Sequence, residues 1–206
     1  IQLADGSQLL LNTNTAVSVQ YQDSIRQITL HHGQARFTVA KHSQRPFEVK
    51  SDGLLVRALG TVFEVYKHES GETLVTVQEH VVAARLQPET ELAGNGQSVP
   101  VTVQEGQQLR YGGNGILNLP QPVDLAQASA WQHHKIFLND RPLGELIAEL
   151  DRYRVGRIFL ADEKLNNLRV VGVFNLADPD AVLAKICKIL ALKETRLGLL
   201  WVLLHH

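Results

Sequence analysis

An α+β fold, in which a long all-β segment precedes a small domain of alternating strands and helices, is predicted by three observations. Residues 45–65, RPFEVKSDGLLVRALGTVFEV, pack three alternating apolar/polar strands between a proline, an Asp-Gly turn and a Leu-Gly-Thr turn. Short β-branched segments recur over residues 8–111 at roughly 8 to 12 residue intervals, the spacing of an all-β sandwich, barrel or solenoid. Helical periodicity begins only after residue 140, where Leu143, Leu146, Ile147 and Leu150 repeat at the spacing of one apolar helix stripe.

The strands follow in order. In residues 15–19, Ala16 and Ser18 face opposite Val17 and Val19; residues 26–30 set Ile28 and Leu30 against Gln27 and Thr29; residues 35–39 do so with Phe37 and Val39. Within residues 45–65, Phe47 and Val49 share a face, Leu55, Arg57 and Leu59 alternate with Val56 and Ala58, and Val62, Phe63 and Val65 close the run. Further strands are expected over residues 73–77, 81–86, 99–103 and 107–111. Turns are expected at Asp5-Gly6, His32-Gly33, Asp52-Gly53, Ser70-Gly71 and Asn95-Gly96, where one residue tolerates positive φ.

Residues 112–130 have little periodicity, and Gly112, Gly113, Gly115, Pro120 and Pro122 interrupt both helix and strand, as in a linker. The expected domains are 1–118, all-β; 119–130, linker; and 131–206, α+β. In the last, a strand at 135–138 leads to a helix capped by Asp140 with Pro142 in its first turn, ending near Tyr153 ahead of Gly156. Strands at 157–161 and 169–174 follow. Asp178-Pro179 then opens a second helix with Val182, Leu183, Ile186 and Leu190 inward, and two strands at 192–197 and 199–204 end a βαβ-βαβ-β module.

Composition removes several function classes. Twenty Lys and Arg against twenty-one Asp and Glu give a net charge of −1, so the field that gathers nucleic acid or anionic lipid is missing. No apolar run approaches the ~20 residues that cross a bilayer, and no signal-peptide pattern is present. One cysteine cannot make an internal disulfide and leaves the compartment open. The sequence contains no methionine and opens at Ile1 in what reads as a strand and turn, so an excised fragment is expected. His205-His206 reads equally as native or as the end of a tag.

No catalytic, cofactor or metal site is expected. Six of nine histidines form adjacent pairs, His31-His32, His133-His134 and His205-His206; strand neighbours point to opposite faces, and no His or Cys spacing organises an ion. Cys187 sits beside an apolar helix stripe without a positioned base and reads as a small core residue. There is no nucleophile elbow, phosphate loop or dinucleotide fingerprint; the glycines at 112–115 precede prolines rather than a helix. Glu89 with Glu91 and Glu145 with Glu149 read as solvated edges or helix faces. Arg152, Arg154 and Arg157 straddle a helix C-terminus, where cations are favoured, with an acidic partner surface as the other reading.

The closing segment GLLWVLL is different. Leu200, Val202 and Leu204 lie on one face and Leu199, Trp201 and Leu203 on the other, both apolar. Either the strand is buried on both sides, or one side or edge awaits a partner. The candidate docking edge is therefore Arg157, Ile158, Phe159 and Leu160 together with Leu199, Leu200, Trp201, Val202 and Leu203.

Several longer motifs carry a resemblance: DGSxLxLNTxTAVxV (5–19), GQARFxVA (33–40), RPFEV (45–49), VRALGTxFxV (56–65), the Trp131 segment, LxxLDRY ending at Tyr153, and VxGVF ending at Phe174. In this order the chain resembles the periplasmic region of FecR-like sigma regulators, the anti-sigma factors of bacterial cell-surface signalling. Its second half also resembles the short N-terminal (STN) domain of secretins and TonB-dependent receptors. The resemblance implies a non-enzymatic protein anchored in the inner membrane and facing the periplasm, without cofactor. Its partner would be the N-terminal signalling domain of an outer-membrane TonB-dependent transducer, with ferric-siderophore availability relayed to an extracytoplasmic-function sigma factor held by missing N-terminal segments. A self-assembling secretin-like or adhesin-like module is the alternative. The chain departs from the family at His80, often glycine, and at His133-His134, where Trp-x-x-Gly is usual.

Overall fold

The computed structural model describes residues 1–87, 99–112, 116–198 and 200–206. The expected Asn95-Gly96 turn, the Glu89/Glu91 pair, Gly113, Gly115 and Leu199 lie outside the described residues. The chain divides into two compact units, Ile1–Leu125 and Ala126–His206. It is mixed α+β and mostly strand.

The first unit is a curled sheet of β1 (Gln8–Leu11), β2 (Ala16–Tyr21), β3 (Arg26–Thr38), β4 (Phe47–Ser51), β5 (Leu54–Ala58), β6 (Val62–Lys67), β7 (Thr73–Glu79), β8 (Val81–Leu86), β9 (Val101–Gln104), β10 (Gln107–Tyr111) and β11 (Gln121–Pro122). The organising element is β3. Its first part pairs with β2 and, in parallel, with β4; its second part pairs antiparallel with β1 and β6. One strand thus serves two halves, β4-β5-β8-β9 on one side and β6-β7-β10-β11 on the other, and the sheet curls until β9 lies against β7 and β10.

His32-Gly33 is therefore not a hairpin turn as expected but a bend within one continuous strand. Gly33 has φ 89°, and a Cβ there would collide with the Thr15 hydroxyl and the Asn14 carbonyl, so only glycine lets the 12–15 segment cross the bend. At Asp52-Gly53 the expected hairpin is present, with φ 44° and 76° joining β4 to β5.

Phe37 stacks on Phe63 at 5.1 Å and meets Phe47 edge-on at 5.9 Å in the core of this unit, with Ile28, Leu30, Val49, Val56, Val65, Val75 and Leu109 around them. Central strands β4 and β5 are buried on both faces, which is why Glu48 is buried; it takes the Arg57 guanidinium of the facing strand at 2.6 Å. The most buried charge is Arg26, wholly inaccessible at the start of β3. It donates to Asp5 at 2.6 Å and to the carbonyls of Ala40 and Arg45, and its guanidinium lies 5.5 Å from the Phe47 ring centroid. Asp5 also accepts from the Ser7 amide and hydroxyl and from the Tyr21 hydroxyl. Burial alone would raise the Asp5 pKa; the hydrogen bonds from Ser7, Arg26 and Tyr21 outweigh it and bring the carboxyl down to about 2.

A short helix, α1 (Leu125–Ala128), crosses the boundary into the second unit, which continues with a 3-10 turn over Ala130–His133. Its elements are β12 (Lys135–Pro142), α2 (Leu143–Arg152), β13 (Arg157–Leu160), α3 (Glu163–Asn166), β14 (Arg169–Asn175), α4 (Pro179–Ile189), β15 (Lys193–Leu197) and β16 (Trp201–His205). The expected strand and helix order is present, with α3 added. Asp140 does not cap α2: β12 runs on past it to Pro142 in its ladder with β14, Asp140 sits at φ 52° and pairs with Arg169, and the N-cap is Pro142. Asp178 does cap α4, accepting from the Ala181 amide with Pro179 in the first turn. Strands β12 and β14 form one antiparallel pair; β13, β16 and β15 form a second sheet with β16 in the middle. One face of each sheet joins Leu143, Leu146, Ile147 and Leu150 of α2 and Val182, Leu183 and Ile186 of α4 in a single core. Cys187 is buried in it, and its thiol is pushed up by that burial, as a packed core residue would be.

Candidate docking surface

The residues proposed for docking lie in the three-stranded sheet of the second unit, apart from Leu200 in the turn before β16 and Leu199, which is outside the described residues. Strand β13 runs parallel to β16, pairing Arg157 with Trp201, Ile158 with Val202 and Phe159 with Leu203. On the other side β15 pairs antiparallel, Leu197 with Trp201, Thr195 with Leu203 and Lys193 with His205. Cross-strand partners share a face, so the period-two alternation sorts the site. Ile158, Val202 and Leu204 point into the core, at 6%, 1% and 0% exposure, with Leu160 half-buried beside them. Arg157, Phe159, Trp201, Leu203, Leu197, Thr195 and Lys193 form the opposite face, where Phe159, Trp201 and Leu197 are about half exposed at 49%, 54% and 55%.

These pairings take up the β16 part of the expected edge and leave β13 at the edge of its sheet. Both edges of β16 are taken, so Trp201, Val202 and Leu203 have no free backbone ladder to offer. The outer edge of β13 is partly closed too: the Arg157 and Ala161 amides donate inward to the Leu200 and Leu204 carbonyls, while the outward Ile158 amide donates to the Asp151 carboxylate of α2 at 2.9 Å. The outer strand β15 carries Lys193, Glu194 and Arg196, charges that discourage strand addition. What the sheet presents is a side-chain face. Of the two readings of GLLWVLL, burial on both sides does not hold: Val202 and Leu204 are inside, whereas Trp201 is exposed and Leu203 half-buried on the other face.

Gly156 makes the parallel pairing possible. At φ 101°, a Cβ on it would run into the Leu200 carbonyl, which also accepts from Arg154 Nη1. The DRYRVGR run divides accordingly. Arg152 pairs with Glu149 along α2 and Arg154 with Asp180 of α4, whereas Arg157 extends onto the exposed face. Sequence reasoning missed a second exposed apolar group, Phe137, Val171 and Val173 on the β12–β14 pair, although Phe137 and Val173 are cross-strand partners. Among the described residues no three His, Cys, Asp or Glu side chains cluster as metal ligands, and no helix is long and apolar enough to cross a membrane.

The model of the FecR protein family matches residues 1–83. No curated protein matches the chain. Two crystal structures of a proposed anti-sigma factor from Parabacteroides distasonis ATCC 8503, at 1.65 and 2.50 Å, are similar in fold, with TM-scores of 0.79 and 0.77 at 22% identity; each likeness covers 100% of this chain and 92% of the other. Four of the motifs fall within that match: DGS supplies Asp5 and Ser7 to the Arg26 cluster, GQARFxVA supplies Phe37 and RPFEV and VRALGTxFxV supply Phe47 and Phe63 to the core, and Glu48 of RPFEV pairs with Arg57; the Trp131, LxxLDRY and VxGVF motifs lie beyond it. Over residues 1–83, from β1 into β8 of its first unit, the chain is similar to the FecR protein family.

Proposed function

We propose that this chain is the signal-receiving, periplasmic part of a FecR-like sigma regulator, an anti-sigma protein anchored in the inner membrane by segments outside this sequence. The observation that carries the reading is the FecR-family match over residues 1–83, on a fold shared from end to end with a proposed anti-sigma factor. In this reading residues 1–118 are the membrane-proximal all-β part, 119–130 the linker, and 131–206 an STN-like docking domain. Its partner is the N-terminal signalling domain of an outer-membrane TonB-dependent transducer, and ferric-siderophore availability is the signal relayed to an extracytoplasmic-function sigma factor. No catalysis is required.

A protein of this kind signals by differential affinity: the partner must bind one state better than another. The exposed face of the three-stranded sheet supports a docking role, since Phe159, Trp201, Leu203 and Leu197 occupy neighbouring positions of one face and two of them are aromatic, the composition of an interface core. A partner present at ~100 times its Kd would stabilise the folded form by about 2.7 kcal/mol, enough to shield a cleavage-prone segment. The test is to mix the chain with the signalling domain of the transducer encoded beside it. Saturable one-to-one binding and a raised Tm support the relay; concentration-dependent self-association in sedimentation, without binding, would replace it with a self-assembling module.

A further inference from the structure

The second unit contains six arginines, and five are held by carboxylates of the same unit: Arg141 by Glu145, Arg152 by Glu149, Arg154 by Asp180, Arg169 by Asp140, and Arg196 by Asp180 and Glu194. Arg157 alone has no carboxylate among the described residues, and it is exposed at a corner of the sheet face, in register with Trp201. Lys193, also without an ion pair among the described residues, stands at the diagonal corner, in register with His205. Between them lie Phe159, Leu203, Trp201 and Leu197. The alternating residues Glu194 and Arg196 belong to the opposite face, so no position of the exposed face on these three strands is acidic.

We infer that this face is a specificity-determining surface for a protein partner whose matching surface is apolar at its centre and acidic at its rim, with Arg157 as the residue that selects it by receiving a carboxylate. The inference rests on the reading above, that residues 131–206 dock a protein. Three strands and three rows of outward side chains span roughly 10 by 13 Å, the size of an interface centre rather than a whole interface, so the rim must come from charge and from neighbouring loops. A second copy of this chain fits poorly: two such faces brought together would oppose cations with no carboxylate between them. A guanidinium beside aromatic side chains, unspent on its own fold, has the chemistry of an interface hot spot, because it can meet a carboxylate in two parallel hydrogen bonds while its plane lies against a ring.

The test is calorimetric titration of the chain with the signalling domain of the neighbouring transducer, at 50 and 500 mM NaCl. Three variants serve, each checked for an unchanged Tm: Arg157→Gln, Trp201→Ala, and Arg141→Gln as a paired-arginine control. The expected result is about tenfold weaker binding for Arg157→Gln at low salt, a loss that shrinks at high salt, at least tenfold weaker binding for Trp201→Ala, and less than twofold change for Arg141→Gln. Tight binding by wild type with Arg157→Gln unchanged at both salts would overturn the inference and leave the docking reading standing. Absence of binding by wild type would overturn both. If Arg157→Gln changes the Tm, Arg157→Lys decides: it keeps the charge but not the paired hydrogen bonds and should still lose severalfold in affinity.

Discussion

Replacing Asp5 by asparagine removes the carboxylate that neutralises Arg26, leaving the side-chain volume almost unchanged. Arg26 is wholly buried, with the Arg26 and Asp5 side chains 1% and 8% exposed, so the remaining guanidinium charge would face no anion, only neutral acceptors: the amide oxygen, the Ala40 and Arg45 carbonyls and the Phe47 ring. Breaking a buried pair in this way costs about 3 to 5 kcal/mol. The pH dependence gives a second, independent magnitude. The Asp5 pKa falls from 3.8 to about 2 on folding, worth about 2 kcal/mol at neutral pH. Because the folded value is the depressed one, this stabilisation is complete above about pH 4 and disappears as pH falls through about 2. Urea unfolding should be followed by circular dichroism, since both tryptophans, Trp131 and Trp201, belong to the second unit. The expected destabilisation of Asp5→Asn is about 3 kcal/mol at pH 7, shrinking by about 2 kcal/mol at pH 2 as wild-type Asp5 protonates. A gap that stays constant with pH, or one below about 1 kcal/mol at pH 7, would refute the argument that the ionised carboxylate holds the cluster together.

Three further substitutions probe the backbone. Gly33→Ala, at φ 89° against Asn14 and Thr15, should cost more than about 2 kcal/mol and lower the Tm of the first unit, whereas an unchanged Tm would mean that the bend in β3 does not need glycine. Ala191 follows α4 at φ 51°, with the Leu192 amide closing back on the Cys187 carbonyl, so Ala191→Gly should stabilise by about 1 kcal/mol in chemical unfolding. His80 turns from β7 to β8 at φ 66°, and its backbone contacts with Glu105 do not need the imidazole; His80→Gly should likewise gain about 1 kcal/mol, and a loss of stability would show that the ring packs usefully.

Local chemistry was legible where a residue type has a single mechanical use. Asp52-Gly53 reads as a tight hairpin, Asp178-Pro179 as a helix start, and the Leu143, Leu146, Ile147, Leu150 stripe as a buried face, because each follows from φ, a missing donor or helical period. His32-Gly33 misled because period-two alternation on both sides of a glycine looks the same for a hairpin and for one bent strand; only the crossing of residues 12–15 separates them. Asp140 misled because an aspartate before proline suits both a cap and a bulged strand, and the ladder with β14 decided for the strand. The small helix α3 carries one buried apolar residue, Leu165, too few to register as a period. At the docking surface, alternation identified which residues share a face, but which face is wet and which edge is free depend on pairings between strands some forty residues apart, β13 with β16. The buried role of Arg26 was invisible for a related reason: its acidic partner lies 21 residues upstream in a turn.

The central claim is that this FecR-like chain receives its signal by docking a partner on the exposed face of the β13-β16-β15 sheet. The most direct measurement is titration of the transducer's signalling domain into the wild-type chain and into a Phe159→Asp, Trp201→Asp variant whose fold is verified by its unchanged circular dichroism. The account predicts saturable one-to-one binding that the double substitution weakens at least a hundredfold. Equal affinity for the two chains, or no binding by wild type, would contradict it.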